Sequence, residues 1–156
     1  MRLYKDILQM TLPSRQKGRV RQDLDAYLAG FFDGEGHVYI AKNTKREWSY
    51  YVAIGAAQVN REPLELLVSA YGGKVYEKKR GPRQQACGEW RCSGKDALYA
   101  LYRMLPWLTV KRSKARVAII LLQNRPLTCA GGQISPHQKM AITKALKGVT
   151  VVKING

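Results

Sequence analysis

Residues 28–36 read LAGFFDGEG. Two carboxylates, Asp33 and Glu35, stand one residue apart among three glycines, directly after an apolar run. Gly34 and Gly36 permit tight backbone geometry and close approach where a helix ends. The C-terminal end of a helix carries partial negative charge and free carbonyl oxygens, so it attracts cations. A carboxylate added there makes an oxygen-rich site that suits a hard divalent ion such as Mg2+. One carboxylate is a poor cage, but Mg2+ completes its shell with water and phosphate oxygens, which points to phosphodiester chemistry. Taken alone, DGEG fits equally a plain helix stop with solvated acids, because turn residues are common at helix ends.

Outward from this stretch, the spacing predicts a helix from about Leu24 to Asp33, capped by Asp23. Leu24, Tyr27, Leu28 and Phe31 form its expected core face. Ala26, Ala29, Gly30 and Asp33 lie on another side, where small residues would let a second backbone come close. From His37 the period changes to two. Val38 and Ile40 share one face with Tyr50, Val52 and Ile54, opposite His37, Tyr39, Ala41, Ser49 and Tyr51, in a long hairpin with one buried face. Asn60 is expected to cap a second helix that Gly72 ends. A second hairpin, KVYEKKR with CGEWRCS, turns around Gly81-Pro82. Ser93 and Asp96 resemble a capping box for a helix that Pro106 stops. Lys111 to Gln123 reads as a further helix, and Ser135-Pro136 starts a last one, closed by Gly148. This order, helix–hairpin–helix–hairpin–helices, predicts an α+β domain with one antiparallel sheet and helices on a single face. The expected organisation is a basic arm over residues 1–21, a core over 22–126, and a C-terminal helix and tail of the same domain over 127–156.

The chain of 156 residues is long enough for a real core. Lys and Arg number 27 against 11 acids, a net charge of +16 spread along the whole sequence. A folded domain this basic implies a polyanionic partner. No run of eighteen apolar residues is present and no secretory signal is visible, so no membrane partner is expected. Cys87, Cys92 and Cys129 lack metal-ligand spacing, and His37 and His137 are far apart, so no zinc site is expected. Cysteine usage suits an intracellular, reducing compartment, cytoplasmic or organellar.

The whole stretch YLAGFFDGEG resembles the motif that names the LAGLIDADG homing endonucleases. The succession of elements over roughly residues 22–123 is also similar to that family. The resemblance implies a saddle-shaped sheet straddling double-stranded DNA. One motif in a chain too short for two halves implies a homodimer. The family's metal-binding acid falls on Glu35, with Glu where Asp is usual, and the Gly34 carbonyl is the implied second ligand for Mg2+. Asp33 matches an acid that is usually structural. Gln58, at the end of the first hairpin, is the implied water-organising residue, and Lys111, after LPWLTV, is the implied neighbour of the scissile phosphate. Glu35, Gln58 and Lys111 are thus the implied catalytic set. The implied reaction is metal-dependent hydrolysis of both strands at a long, near-palindromic target, in the homing of an intron or intein.

Strand parity then places His37, Tyr39, Ala41, Asn43, Lys45, Ser49 and Tyr51 of the first hairpin toward DNA. Lys74, Tyr76, Lys78, Arg80, Glu89 and Arg91 of the second hairpin join them. Such a two-stranded ribbon fits the major groove, where Arg and Lys read guanine and Asn reads adenine. Arg15, Lys17, Arg19 and Arg21 of the arm are expected to bind phosphates. The alternative class is binding without cleavage: an intron RNA maturase, with RNA as partner, or a DNA-binding protein of the same fold.

Overall fold

The structure, a computed structural model, describes residues 15–79, 81–82, 85–124 and 134–154, with side chains from residue 21 onward. Helix α1 spans Arg15–Glu35, followed by β1 (Gly36–Asn43), β2 (Tyr50–Gln58), α2 (Glu62–Tyr71), β3 (Lys74–Lys78) and β4 (Cys87–Ser93). Then come α3 (Gly94–Met104), a 3-10 turn (Leu105–Trp107), α4 (Arg112–Gln123), α5 (Pro136–Ala145) and β5 (Val152–Ile154). The strands form one open sheet in the order β3-β4-β2-β1-β5. The two hairpins pair antiparallel, as their alternation predicts, and β4 joins them by pairing with β2. The fifth strand, absent from the sequence expectation, runs parallel to β1 through three residue pairs.

Val38, Ile40, Val52 and Ile54 are buried beneath the helices, as parity predicts. Trp90 and Cys92 of β4 complete that face of the sheet, against Leu64 and Leu67 of α2, Leu101 and Met104 of α3, and Ile119 of α4. Burying each large side chain of this kind contributes about 1.5–3 kcal/mol. Asn60 accepts a hydrogen bond from the Glu62 N–H at 3.1 Å, relieving one free donor of α2. Gly72, at φ 88°, ends that helix, and its carbonyl receives the Trp90 indole N–H at 2.9 Å. Ser135 and Gln138 form a capping box at the start of α5. Ser93 occupies the N-cap of α3 but makes no side-chain cap hydrogen bond, so the expected box with Asp96 does not form.

The signature helix differs from expectation in both start and rotation. It begins at Arg15, and Asp23 is an exposed residue within it rather than its cap. Residues 15–22 contain no proline and only one glycine, so nothing breaks the helix before Asp23. Its buried residues are Asp25, Leu28, Ala29 and Phe32, while Tyr27 is 53% exposed. The inward face is turned by about one residue because it includes a charged group. Asp25 accepts a hydrogen bond from the Tyr71 hydroxyl at 2.7 Å and pairs with Arg103 at 2.5 Å. Burial and the Asp25 carboxylate push the Tyr71 hydroxyl pKa far up, so it serves as a donor at all ordinary pH. Asp25 thereby ties α1 to α2 and α3. Asp25→Ala would leave the half-buried Arg103 charge unpaired, and the expected loss is about 3 kcal/mol, measured as a lower urea midpoint with an unchanged slope.

Candidate functional site

The last turn of α1 brings the two acids of the opening stretch to different tasks. The Asp33 carboxylate accepts hydrogen bonds from the backbone N–H groups of Thr109 (2.6 Å), Val110 (3.3 Å) and Lys111 (2.9 Å). These groups lead into the N-terminus of α4, where backbone donors have no partner within the helix. Burial works to raise the Asp33 pKa, but the three N–H bonds and the Lys111 charge outweigh it and hold the carboxyl below its ordinary value. Asp33 is therefore committed within its own chain. Asp33→Asn removes one acceptor oxygen and should cost about 1–2 kcal/mol, read as a lower melting temperature.

Glu35, by contrast, ends α1 exposed. The ammonium of Lys111 donates to the Asp33 backbone carbonyl, which fixes this cation at the same helix end, two residues before Glu35. Gly36 is required for the junction: a Cβ there would fall 2.3 Å from the Phe32 ring, so only glycine lets β1 leave the helix this closely. The register Gly36↔Ala56 sets Gln58 two residues beyond the first pair of β1 and β2, at the sheet end where α1 terminates. Its side-chain oxygen accepts from the Val59 N–H at 2.8 Å. Glu35, Lys111 and Gln58, distant in sequence, are thus placed at one end of the sheet.

The face of the sheet away from the helices is polar and largely basic. One row across four strands pairs His37, Gly55, Arg91 and Lys74. Gly55 leaves room for the His37 ring, which lies 2.7 Å from where a Cβ would stand. Burial lowers the His37 pKa, Glu89 opposes this, and the charges of Lys78, Arg91 and Lys114 reinforce it, so the imidazole is neutral at pH 7. The adjacent row pairs Ala57, Glu89 and Tyr76. Tyr39 and Tyr51 meet edge to face at 6.2 Å and are exposed. Asn43 is partly used locally, its side-chain oxygen accepting from the Lys45 N–H at 2.9 Å. Ser49 closes the same loop by receiving the Asn43 N–H at 2.9 Å. Parity thus identifies the face of the sheet, including exposed Lys74, Tyr76, Lys78 and Arg91.

Two members of that set are corrected by their burial. Ala41 has no exposed surface, flanked in the ladder by Tyr51 and by Val152 of the unforeseen β5. Glu89 is buried and bound to neighbouring cations. Its burial works to raise its pKa, but the Arg91 hydrogen bond and the charges of Arg91 and Lys78 outweigh this and hold it below its ordinary value. Arg21 is not a free arm residue either: its guanidinium donates to the Tyr99 hydroxyl and lies 5.8 Å from that ring's centre. Ala29 is fully buried within the chain, which removes it from the small-residue surface of α1. Arg80 and the side chains of Arg15, Lys17 and Arg19 lie outside the described residues.

Among the described residues, no three His, Cys, Asp or Glu side chains gather as a metal cluster. The donor set at the α1 terminus nonetheless fits a hard divalent ion that shares its shell with external oxygens: one exposed carboxylate beside helix-end carbonyls. None of the described helices is long and apolar enough to cross a membrane.

No family model and no curated protein matches the sequence. Solved structures do match. The chain is similar to the homing endonuclease I-CvuI in complex with its target in the presence of Ca, at 21% identity and TM-score 0.59, over 86% of this chain and 88% of that one. I-CvuI with the I-CreI target in the presence of Mg, its DNA not cleaved, matches at 19% identity and TM-score 0.54, over 83% and 98%. The LAGLIDADG meganuclease I-AabMI, bound to uncleaved DNA, matches at 15% identity and TM-score 0.53, over 82% of this chain but 45% of that one. With the signature helix, its terminal acid and the open sheet all in place, the chain has the fold of the LAGLIDADG homing endonucleases.

Proposed function

We propose that this chain is a site-specific DNA endonuclease that works as a homodimer and hydrolyses both strands of a long, near-palindromic target. The observation that carries this is the gathering of Glu35, Lys111 and Gln58 at one end of an open, basic sheet face. That face suits the major groove, and its cations suit phosphate. A nuclease needs such a reactive end next to a recognition surface, whereas a pure binding protein needs only the surface.

Glu35, with the Gly34 carbonyl, would hold a divalent cation, Mg2+ by the chemistry of its ligands. Such an ion, when bound, supplies charge for the phosphoryl oxygens and for a water that loses its proton. The chain's own residues do the rest. Lys111, fixed by the Asp33 carbonyl, sets a positive charge where the scissile phosphate gains negative charge. The Gln58 amide orients water at the same end. Two copies would bring two such ends together, one per strand. The test is a supercoiled plasmid library carrying randomised inserts, incubated with the protein in Mg2+ or in EDTA. Linear product confined to particular inserts and to Mg2+ is expected. Retention of plasmid without any linear product in Mg2+ would leave only the binding function.

The dimer reading has support on α1. A Cβ at Gly30 or Gly34 would meet nothing within 4 Å, so nothing described in this chain requires glycine there. Each glycine costs about 1 kcal/mol against alanine in a helix. Partly exposed Ala26 and exposed Gly30 and Gly34 lie at successive four-residue steps, leaving a strip on which a second backbone fits. Gly30→Leu should fold with an unchanged circular dichroism spectrum and sediment as a monomer. A wild-type protein that sediments as a monomer, both free and on DNA, would defeat the dimer.

A further inference from the structure

Arg91 is held on two sides. Its Nε and Nη2 donate to Oε2 of Glu89 at 3.1 and 2.7 Å. Its guanidinium carbon stands 5.3 Å from the centre of the Tyr76 ring. Glu89 itself is buried, and its other oxygen lies 3.7 Å from the Lys78 ammonium. The Arg91 side chain nevertheless remains 61% exposed on the open face. Nε and one Nη2 hydrogen form one edge of the planar guanidinium. With that edge on Glu89, the outer edge keeps two parallel donors, on Nη1 and Nη2.

We infer that Arg91 reads a guanine in each half-site, and that Glu89 and Tyr76 are positioning residues that set its orientation before DNA arrives. A flat fork with two outward donors matches guanine O6 and N7 in the major groove. Fixing it beforehand lowers the ordering cost of binding. A phosphate contact would need no such fixing, and a buried carboxylate beside it would repel the phosphate. The negative charge of Glu89 therefore favours base readout at this point of an otherwise basic face. In a twofold dimer the two copies of Arg91 would read two symmetric guanines.

This inference rests on the sheet-face DNA reading proposed above, and one experiment separates the two. The full chain is used to select binders from a randomised duplex pool in EDTA, and bound sequences are counted. Wild type should show a guanine at a pair of symmetric positions. Arg91→Lys keeps the charge and loses the fork, so that preference should fall about ten- to hundredfold, with affinity for random duplex unchanged. Glu89→Gln keeps size and removes the charge. It should weaken the same preference while raising affinity for random duplex. Matched melting curves exclude misfolding of either variant. A guanine preference unchanged in Arg91→Lys overturns the inference, and so does Glu89→Gln binding all sequences more tightly with an unchanged profile. A wild-type chain with no preference anywhere overturns the sheet-face reading and this inference with it.

Discussion

Glu35→Gln should lower cleavage by roughly 10³-fold or more, the scale on which loss of a single charge-stabilising group acts in hydrolytic sites. The substitution preserves size and hydrogen-bonding atoms and removes only the charge that a hard cation requires. Glu35 is exposed at the end of α1. No packing is disturbed, and the melting temperature should stay within a degree or two of wild type. Binding to the target should persist, because recognition is assigned to the sheet face and not to the helix end. Affinity in EDTA should rise somewhat, since a carboxylate facing phosphates repels them when no cation lies between. Initial rates on a linear target in Mg2+, with binding measured in parallel by gel shift, check both halves of the expectation.

Salt should act as strongly. With six to ten phosphates neutralised by a dimer, affinity should fall by roughly 10³-fold or more between 50 and 200 mM salt. Lys74, Lys78 and Lys79 are exposed along the second hairpin, and Lys45 stands on the loop of the first. A plot of log affinity against log salt should be linear, with a slope near −0.9 per phosphate contacted. A shallow slope, equal to that of a protein with one or two contacts, would mean that the +16 charge serves another partner.

The periodic and punctuated parts of this fold were legible in the sequence. Alternation identified Val38, Ile40, Val52 and Ile54 as the buried side of the first hairpin, because a strand must turn every second residue to the core. Gly72 marked the end of α2 because its φ of 88° is costly for other residues. The rotation of α1 was hidden because its buried face contains Asp25, and hydropathy does not anticipate a buried acid whose partners, Tyr71 and Arg103, are far along the chain. Parity gave the face for Ala41 and Glu89 but not their burial, which depends on neighbouring strands and ion pairs. The parallel strand β5 makes only three residue pairs with β1. Strands so short leave little periodic signal. At the candidate site, Glu35 is singled out by the likeness of YLAGFFDGEG to the LAGLIDADG motif, because DGEG alone fits a plain helix stop equally well. The tie between Asp33 and the Lys111 segment, 78 residues away, was not legible, because it is made by backbone donors that carry no sequence signature.

The division of labour between the two acids is tested most directly by measuring Glu35→Gln and Asp33→Asn side by side. Each variant is melted, tested for target binding in EDTA, and assayed for cleavage in Mg2+. The expected result is that Glu35→Gln melts like wild type, binds and does not cut, while Asp33→Asn melts lower and still cuts once folded. The contradicting result is Glu35→Gln cutting at near the wild-type rate while a folded, DNA-binding Asp33→Asn does not cut.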